Sequence, residues 1–171
     1  VIKIAKFFKA KNLIFGSPIN RKLNLQTRQK KIIGEIILTK IVKLCEKNDL
    51  VFCIEPNAKY YGCNYINTTN QALKLIKKLS LKNFLINVDT GNISLEEKKL
   101  LNFKKQSKYF GNYQISEKDL ISLTDGKVKH VKILKGFDVK NKIISLEMNK
   151  IDINNLKLDI KKFKKIVKNI S

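Results

Sequence analysis

Three short apolar stretches in this chain each end in a carboxylate, namely Glu55, Asp89 and Glu147. Each stretch follows a segment with helical periodicity. If the stretches are parallel strands, their carboxyl ends meet at one edge of a sheet, where barrels of alternating strands and helices keep their chemistry. Carboxylate oxygens are the preferred ligands of hard divalent cations, so three of them at one edge predict a metal site.

The segments that must position these carboxylates alternate in type. Strand patterns lie near 12–16, 50–55, 83–88, 109–115 and 143–147. Helical patterns lie at 1–10, 25–47 and 153–169, and a weak one lies within 117–136. Two further helices are indicated by their start signals. One follows an N-cap signal at 67–69, and the other runs from the capping-box pair Ser94 and Glu97 to about 106. This alternation predicts an α/β fold with a parallel sheet and right-handed crossovers. No change in composition marks a linker, so we predict a single domain over residues 1–171.

The helix predicted at 25–47 is amphipathic. Its apolar stripe comprises Ile32, Ile33, Ile36, Ile37, Ile41, Val42 and Leu44.

The formal net charge of +22 is the largest compositional signal. Strongly basic proteins often bind nucleic acid or anionic membranes. Here almost all of the excess is lysine, since Arg21 and Arg28 are the two arginines, and the lysines are spread along the chain. Arginine is the residue favoured for reading bases and phosphates. We therefore attribute the charge to compositional bias rather than to a nucleic-acid footprint, and predict no specific nucleic-acid partner. A positive field would also favour anionic sugar phosphates.

The cysteines and the apolar segments indicate a compartment. Cys45, Cys53 and Cys63 are odd in number and follow no secretory signal, which predicts buried, reduced thiols in a cytoplasmic protein. No apolar stretch approaches the roughly 20 residues of a membrane span, so we predict no membrane partner.

Residues 1–8 have the pattern of a helix interior, which predicts that the chain is part of a longer one.

From Asn12 to about Met148 the chain resembles the sugar phosphate isomerase/epimerase superfamily of xylose-isomerase-like TIM barrels. Five motifs resemble the fourth to eighth strands of that barrel and the loops after them. In chain order they are Leu13-Ile14-Phe15-Gly16-Ser17-Pro18, Ile54-Glu55-Pro56-Asn57, Val88-Asp89-Thr90-Gly91, Asn112-Tyr113-Gln114-Ile115-Ser116-Glu117 and Ser145-Leu146-Glu147-Met148. The resemblance implies a partial TIM (β/α)8 barrel of about five parallel strands, the fourth to the eighth. Its open edges would be covered by a missing N-terminal segment or by another chain, as in a homo-oligomer.

The resemblance also implies an activity. In that family one divalent ion, usually Mn²⁺, Mg²⁺ or Co²⁺, is held at the ends of strands five to eight, and two glutamates move a proton through an enediolate. Carried over motif by motif, it implies Glu55, Asp89, Gln114 and Glu147 as the metal ligands. Glu55 and Glu147 would be the acid and the base, because carboxylates both ligate a hard cation and exchange protons.

Two positions depart from the family pattern. The metal-binding histidine of the family is Gln114 here, whose amide oxygen can ligate a hard cation but carries no charge. The histidine that contacts the substrate is Asn92 here, which hydrogen-bonds a hydroxyl but cannot titrate. We expect Asn92 and Arg21 to bind substrate, Arg21 through a phosphate or carboxylate, with a surface role as its alternative. The single histidine, His130, lies in a lysine-rich segment and is expected to be solvated.

The sequence therefore predicts a metal-dependent sugar or sugar-phosphate isomerase or epimerase. The alternative is a non-catalytic or degenerate sugar-binding member of the same family, which the two amides at histidine positions favour. An apurinic endonuclease shares the barrel and would gain from the positive charge. It requires a three-zinc cluster with several histidines, and this chain has one.

Overall fold

The computed structural model describes residues 1–23, 28–97, 102–150 and 152–170. The strands in these ranges are β1 (Asn12–Phe15), β2 (Val51–Ile54), β3 (Phe84–Asp89), β4 (Phe110–Ile115) and β5 (Ile143–Leu146). The α-helices are α1 (Ile2–Phe7), α2 (Arg28–Glu46), α3 (Thr69–Leu79), α4 (Thr90–Glu96), α5 (His130–Leu134) and α6 (Ile153–Lys168). Short 3₁₀ turns lie at Ile19–Arg21, Lys59–Tyr61, Lys104–Tyr109 and Lys118–Leu120.

The five strands form one sheet in the sequential order β1-β2-β3-β4-β5, and they are parallel. The register pairs Ile14 with Cys53 and Cys53 with Leu85. Strand β2 is apolar along its whole length and largely buried, as expected of a parallel strand covered on both faces. The prediction of an α/β fold with five parallel strands, part of a TIM barrel, is confirmed.

The chain divides into two compact units, Val1–Asn87 and Val88–Ser171. The single domain over residues 1–171 stays a prediction.

The first unit is built around aromatic rings from its strands. The ring of Phe52 lies 6.1 Å from that of Phe15 and 6.0 Å from that of Phe84, measured between centroids. Helix α3 packs here through buried Ala72, Leu75 and Ile76. The predicted N-cap of α3 is confirmed, since Thr68 forms a capping box with Gln71.

The buried face of α2 differs from its predicted apolar stripe. The buried residues are Leu38, Val42 and Cys45. Ile33 and Ile37 of the stripe are 55% and 51% exposed. The described part of α2 begins at Arg28, so residues 25–27 of the predicted helix lie outside the described residues. Cys45, Cys53 and Cys63 are free and buried, as predicted.

The second unit also has an aromatic core. The ring of Phe137 lies within 5.9 Å of the rings of Phe103, Phe110 and Tyr113, measured between centroids. Leu123, Leu134 and Ile166 are buried in the same unit. Each large apolar side chain buried in this way contributes about 1.5–3 kcal/mol to folding.

The helix after β3 begins earlier than the sequence predicts. Asp89 is the N-cap of α4, which spans Thr90–Glu96. Ser94 therefore lies inside the helix, where its hydroxyl donates to the carbonyl of Gly91 at 2.7 Å, and its assignment as an N-cap is wrong. Residues 98–101 of the predicted helix lie outside the described residues.

The helices of the described ranges include none that combines the length and the apolar character of a membrane span.

Candidate functional site

Glu55 follows β2 in the first unit and is 6% exposed. Its backbone N–H extends the sheet ladder by donating to the carbonyl of Phe15 at 3.2 Å. Asn57 Nδ2 donates to Glu55 Oε1 and Asn87 Nδ2 donates to Oε2, each at 2.6 Å. A Cβ at Gly16 would lie 2.9 Å from Oε2, so only glycine allows the β1 chain to approach this carboxylate so closely. Both oxygens of Glu55 are thus held in place.

Arg21 lies beside Glu55 in the same unit and is 3% exposed. Its Nη2 donates to Asn57 Oδ1, and its Nε and Nη1 donate to the carbonyls of Ser17 and Ile66 at 3.3 and 3.5 Å. Burial lowers the pKa of Arg21, while the negative charge of Glu55 opposes that shift. Through these hydrogen bonds Arg21 connects the 3₁₀ turn after β1 to the loop after β2.

The loop after β2 is held by a second amide. Asn67 Nδ2 donates to the carbonyls of Asn57 and Cys63, both at 2.9 Å. Ile66 has a φ of 62°, which a β-branched residue adopts only when its surroundings impose it. The backbone N–H of Asn57 donates to the carbonyl of Ile66 at 3.2 Å. The loop thereby presents Asn57 to Glu55 in one orientation.

Asp89 lies at the end of β3 in the second unit and is 4% exposed. Its Oδ1 accepts the backbone N–H of Asn92 at 2.7 Å, and its Oδ2 accepts the hydroxyl of Ser116. Burial raises the pKa of Asp89, and the hydrogen bonds from Ser116, Asn92 and Gly91 oppose that shift. Asn92 itself is 8% exposed, and both its backbone and its side chain bind this carboxylate.

Glu147 follows β5 in the second unit. Its backbone N–H donates to the carbonyl of Ile115 at 3.0 Å, which extends the pairing of β4 with β5. Burial raises the pKa of Glu147, and the negative charge of Asp89 raises it further. Asp89 and Glu147 are therefore close enough to interact electrostatically. Gln114 is half-buried on β4 and pairs in register with Ser145.

The predicted ligands fall in two units, with Glu55 in the first and Asp89, Gln114 and Glu147 in the second. In the described ranges no group of three or more His, Cys, Asp and Glu side chains is arranged to hold a metal ion. The ligand set and the roles of these residues stay predictions.

The prediction that His130 is solvated is wrong, because its side chain is 3% exposed. Its Nε2 lies 2.8 Å from Glu117 Oε1, and its Nδ1 lies 3.0 Å from Thr90 Oγ1. Glu117 Oε2 also accepts the backbone N–H groups of Lys127 and Val128, both at 3.1 Å. Glu117 and His130 are 13 positions apart and form no recognisable motif, so only the fold reveals this pair.

The order of these elements agrees with a known family. The sequence model of the xylose isomerase-like TIM barrel family matches residues 2–165. The chain belongs to that family. The resemblance to the sugar phosphate isomerase/epimerase superfamily is thereby confirmed. No curated protein has a sequence that matches this chain significantly.

Several solved structures share the fold of this chain. An L-ribulose 3-epimerase superposes with a TM-score of 0.72 at 17% identity, over 94% of this chain and 56% of that protein. The D-allulose 3-epimerase from Methylomonas sp., in complex with D-allulose, gives 0.69 at 15% identity, over 93% of this chain and 57% of that protein. The IolI protein with a bound zinc atom gives 0.64 at 15% identity, over 99% of this chain and 66% of that protein. The chain thus spans a little over half the length of the two epimerases.

Proposed function

We propose that this chain is part of a metal-dependent sugar or sugar-phosphate isomerase or epimerase that moves a proton through an enediolate. The observation that carries the proposal is the environment of Glu147. Burial and the charge of Asp89 raise the pKa of this carboxyl group towards the range in which a carboxylic acid can both give and accept a proton. A carboxyl group that served only as a surface charge would not need this environment.

Glu55 is proposed as the second proton-transfer group. Two amide N–H groups point at its oxygens, and Arg21 lies behind one of those amides. These contacts stabilise a negative charge, which suits a base. In the proposed reaction Glu55 takes the proton from the carbon next to the carbonyl. The electron pair of that C–H bond forms the C=C bond of the enediolate, and Glu147 returns a proton to carbon or relays one to the neighbouring oxygen.

The donor chemistry of the proposed ligands fits a hard cation. Glu55, Asp89, Gln114 and Glu147 offer only oxygen donors, which suit Mn²⁺ or Mg²⁺ better than zinc. A positive charge near Asp89 and Glu147 would also offset the repulsion that contributes to the raised pKa of Glu147. When bound, such an ion would polarise the carbonyl of the substrate and stabilise the negative charge of the enediolate.

The test is solvent exchange in the full-length protein. Ketopentoses, ketohexoses and their phosphates would be incubated with the protein and Mn²⁺ in D2O, and followed by proton NMR. We expect deuterium at the carbon next to the carbonyl in at least one sugar, and none with Glu147→Gln. The absence of exchange in every sugar at saturating Mn²⁺ would refute the proposed function.

A second candidate function is sugar binding without turnover. Gln114 and Asn92 stand where the family has histidines, and Asn92 directs both its backbone and its side chain to Asp89. Asn92 is therefore occupied with the protein itself. A protein that binds a ketose by calorimetry but exchanges no proton would favour this candidate.

A further inference from the structure

Four hydrogen bonds connect Glu117, through the single histidine of the chain, to the carboxylate of Asp89 within the second unit. Glu117 binds His130, His130 binds Thr90, Thr90 binds the backbone of Ser116, and Ser116 binds Asp89. All five residues are less than 5% exposed. Buried polar groups that are fully paired hold one arrangement, because any unpaired alternative costs free energy.

The direction of these bonds follows from the donors available. Glu117 as a carboxylate can only accept, so His130 Nε2 must carry the proton between them. Burial lowers the pKa of His130, and the charge of Glu117 opposes that shift. A neutral imidazole with its proton on Nε2 leaves a lone pair on Nδ1. The hydroxyl of Thr90, 3.0 Å away, can then donate to Nδ1, and the same hydroxyl lies 3.2 Å from the carbonyl oxygen of Ser116.

Thr90 Oγ1 has one proton for these two acceptors, and it keeps a lone pair for the backbone N–H of Ser116. The N–H of Ser116 donates to Thr90 Oγ1 at 3.1 Å. This bond fixes the backbone of Ser116, whose side chain binds the carboxylate of Asp89. The Ser116 hydroxyl accepts from the N–H of Gly91 at 3.1 Å and donates its own proton to Asp89 Oδ2.

The backbone at Gly91 shows how closely Ser116 is brought in. A Cβ at Gly91 would lie 2.6 Å from the Ser116 hydroxyl oxygen, a distance that no side chain tolerates. Only glycine at this position lets the hydroxyl reach both the helix terminus and Asp89. Asp89 Oδ1 accepts the N–H of Asn92, and the hydroxyl of Ser116 holds Oδ2.

We propose that His130 and Thr90 are positioning residues that set the orientation of the Asp89 carboxylate through Ser116. The inference rests on the proposed function for its effect on turnover, because Asp89 matters there as a ligand and as the charge beside Glu147. The orientation of the carboxylate itself does not depend on any activity.

The experiment compares variants that differ by one polar group. Thr90→Val keeps the side-chain shape without the hydroxyl, Thr90→Ser keeps the hydroxyl, and His130→Phe keeps a ring without nitrogens. Ser122→Ala is the matched control, because Ser122 makes a buried 2.8 Å hydrogen bond to Asp159 in the same unit, and the described contacts of that pair do not include Asp89. The full-length protein is used throughout.

Three quantities are measured for each variant. The first is the ¹³C signal of the Asp89 side-chain carboxyl at one fixed pH, assigned by its loss in Asp89→Asn. The second is kcat and KM for solvent proton exchange. The third is the melting temperature.

The proposal expects Thr90→Val and His130→Phe to move the Asp89 signal and to lower kcat at least about tenfold with little change in KM. Thr90→Ser should restore both. Ser122→Ala should lower the melting temperature by a few degrees, about as much as Thr90→Val, without moving the Asp89 signal or kcat. Asp89 signals that stay at the wild-type position in Thr90→Val overturn the proposal, even if His130→Phe does not fold. A wild-type protein that exchanges no proton would refute the proposed function only. The ¹³C signal of the Asp89 carboxyl group would still test the positioning role.

Discussion

Asn57 joins two buried groups of opposite charge, because its Nδ2 lies 2.6 Å from Glu55 Oε1 while its Oδ1 accepts from Arg21. The two contacts fix which way the amide faces. An amide oxygen turned towards Glu55 would repel the carboxylate and leave the guanidinium facing an N–H group. Arg21, Asn57 and Glu55 therefore depend on one another, and removing one partner leaves a buried charge without its counterpart.

The first prediction concerns the stability that the contacts among Arg21, Asn57 and Glu55 provide. Arg21→Lys keeps the charge but cannot reach Asn57, Ser17 and Ile66 at once, because an ammonium lacks the planar fork of arginine. We expect a loss of about 2–4 kcal/mol in the free energy of unfolding, measured by urea denaturation. Arg28→Lys is the matched control, since Arg28 is the other arginine and is exposed at the start of α2.

The control should change stability by less than about 0.5 kcal/mol. Equal stability losses in the two arginine variants would show that the Arg21 contacts contribute nothing particular.

The sheet could be predicted from sequence, and the polar contacts could not. A parallel strand such as β2 is apolar on both faces, so its pattern survives whatever packs against it. The buried side of α2 depends on what surrounds the helix, and the exposed Ile33 and Ile37 show that hydrophobicity alone did not identify it.

His130 illustrates the same limit at the candidate site. Its flanking lysines indicate solvent, and Lys129 beside it is indeed exposed. The imidazole is buried because Glu117 and Thr90 supply a partner for each ring nitrogen. Those partners lie 13 and 40 positions away in the chain, a separation at which no local pattern links them. By contrast, Asp89 was found as a strand-end carboxylate, although its additional role as the N-cap of α4 was not.

The second prediction concerns Glu147 and pH. Burial and the charge of Asp89 raise the pKa of Glu147 in the folded protein above its ordinary value of 4.5, so the folded state holds this proton more tightly than the unfolded state does. The stability that this tighter proton binding provides is fully present below about pH 4.5, and it is lost as pH rises through the raised pKa of Glu147 in the folded protein. Glu147→Gln cannot lose a proton, so it should melt at a higher temperature than the wild type at pH 7.

Below about pH 4 the carboxyl group is protonated in both states, and the melting temperatures of Glu147→Gln and the wild type should converge. Asp125→Asn, at an exposed carboxylate of the same unit, should show no such pH-dependent difference. At pH 7 the stabilised Glu147→Gln protein should have no turnover, because the amide cannot accept a proton. A variant that retains wild-type turnover would remove Glu147 from the proposed mechanism.

The third prediction concerns the residue that replaces the usual histidine. Gln114→His should tighten Mn²⁺ binding at least about tenfold, measured by calorimetry on the full-length protein, because imidazole is the stronger ligand. Gln114→Leu removes the donor at similar volume and should weaken binding. If both substitutions leave Mn²⁺ affinity unchanged, then Gln114 is no ligand and the metal assignment loses one of its four members.

The fourth prediction concerns the net charge of +22. Among the arginine and lysine side chains of the described residues, Arg21 is the one that is buried, and it faces Asn57 and two carbonyls rather than solvent. The lysines of α6 that could meet DNA, such as Lys161 and Lys165, are exposed on an outer helix surface. Association that relies on exposed lysines is driven by counterion release and carries no sequence or lesion preference.

We expect weak binding to duplex DNA, measured by fluorescence anisotropy, that falls about a hundredfold or more between 50 and 200 mM salt. An abasic duplex should bind no better than an intact one of the same length. Tight binding to the abasic duplex that persists at 200 mM salt would overturn the attribution to composition and would return the endonuclease to consideration.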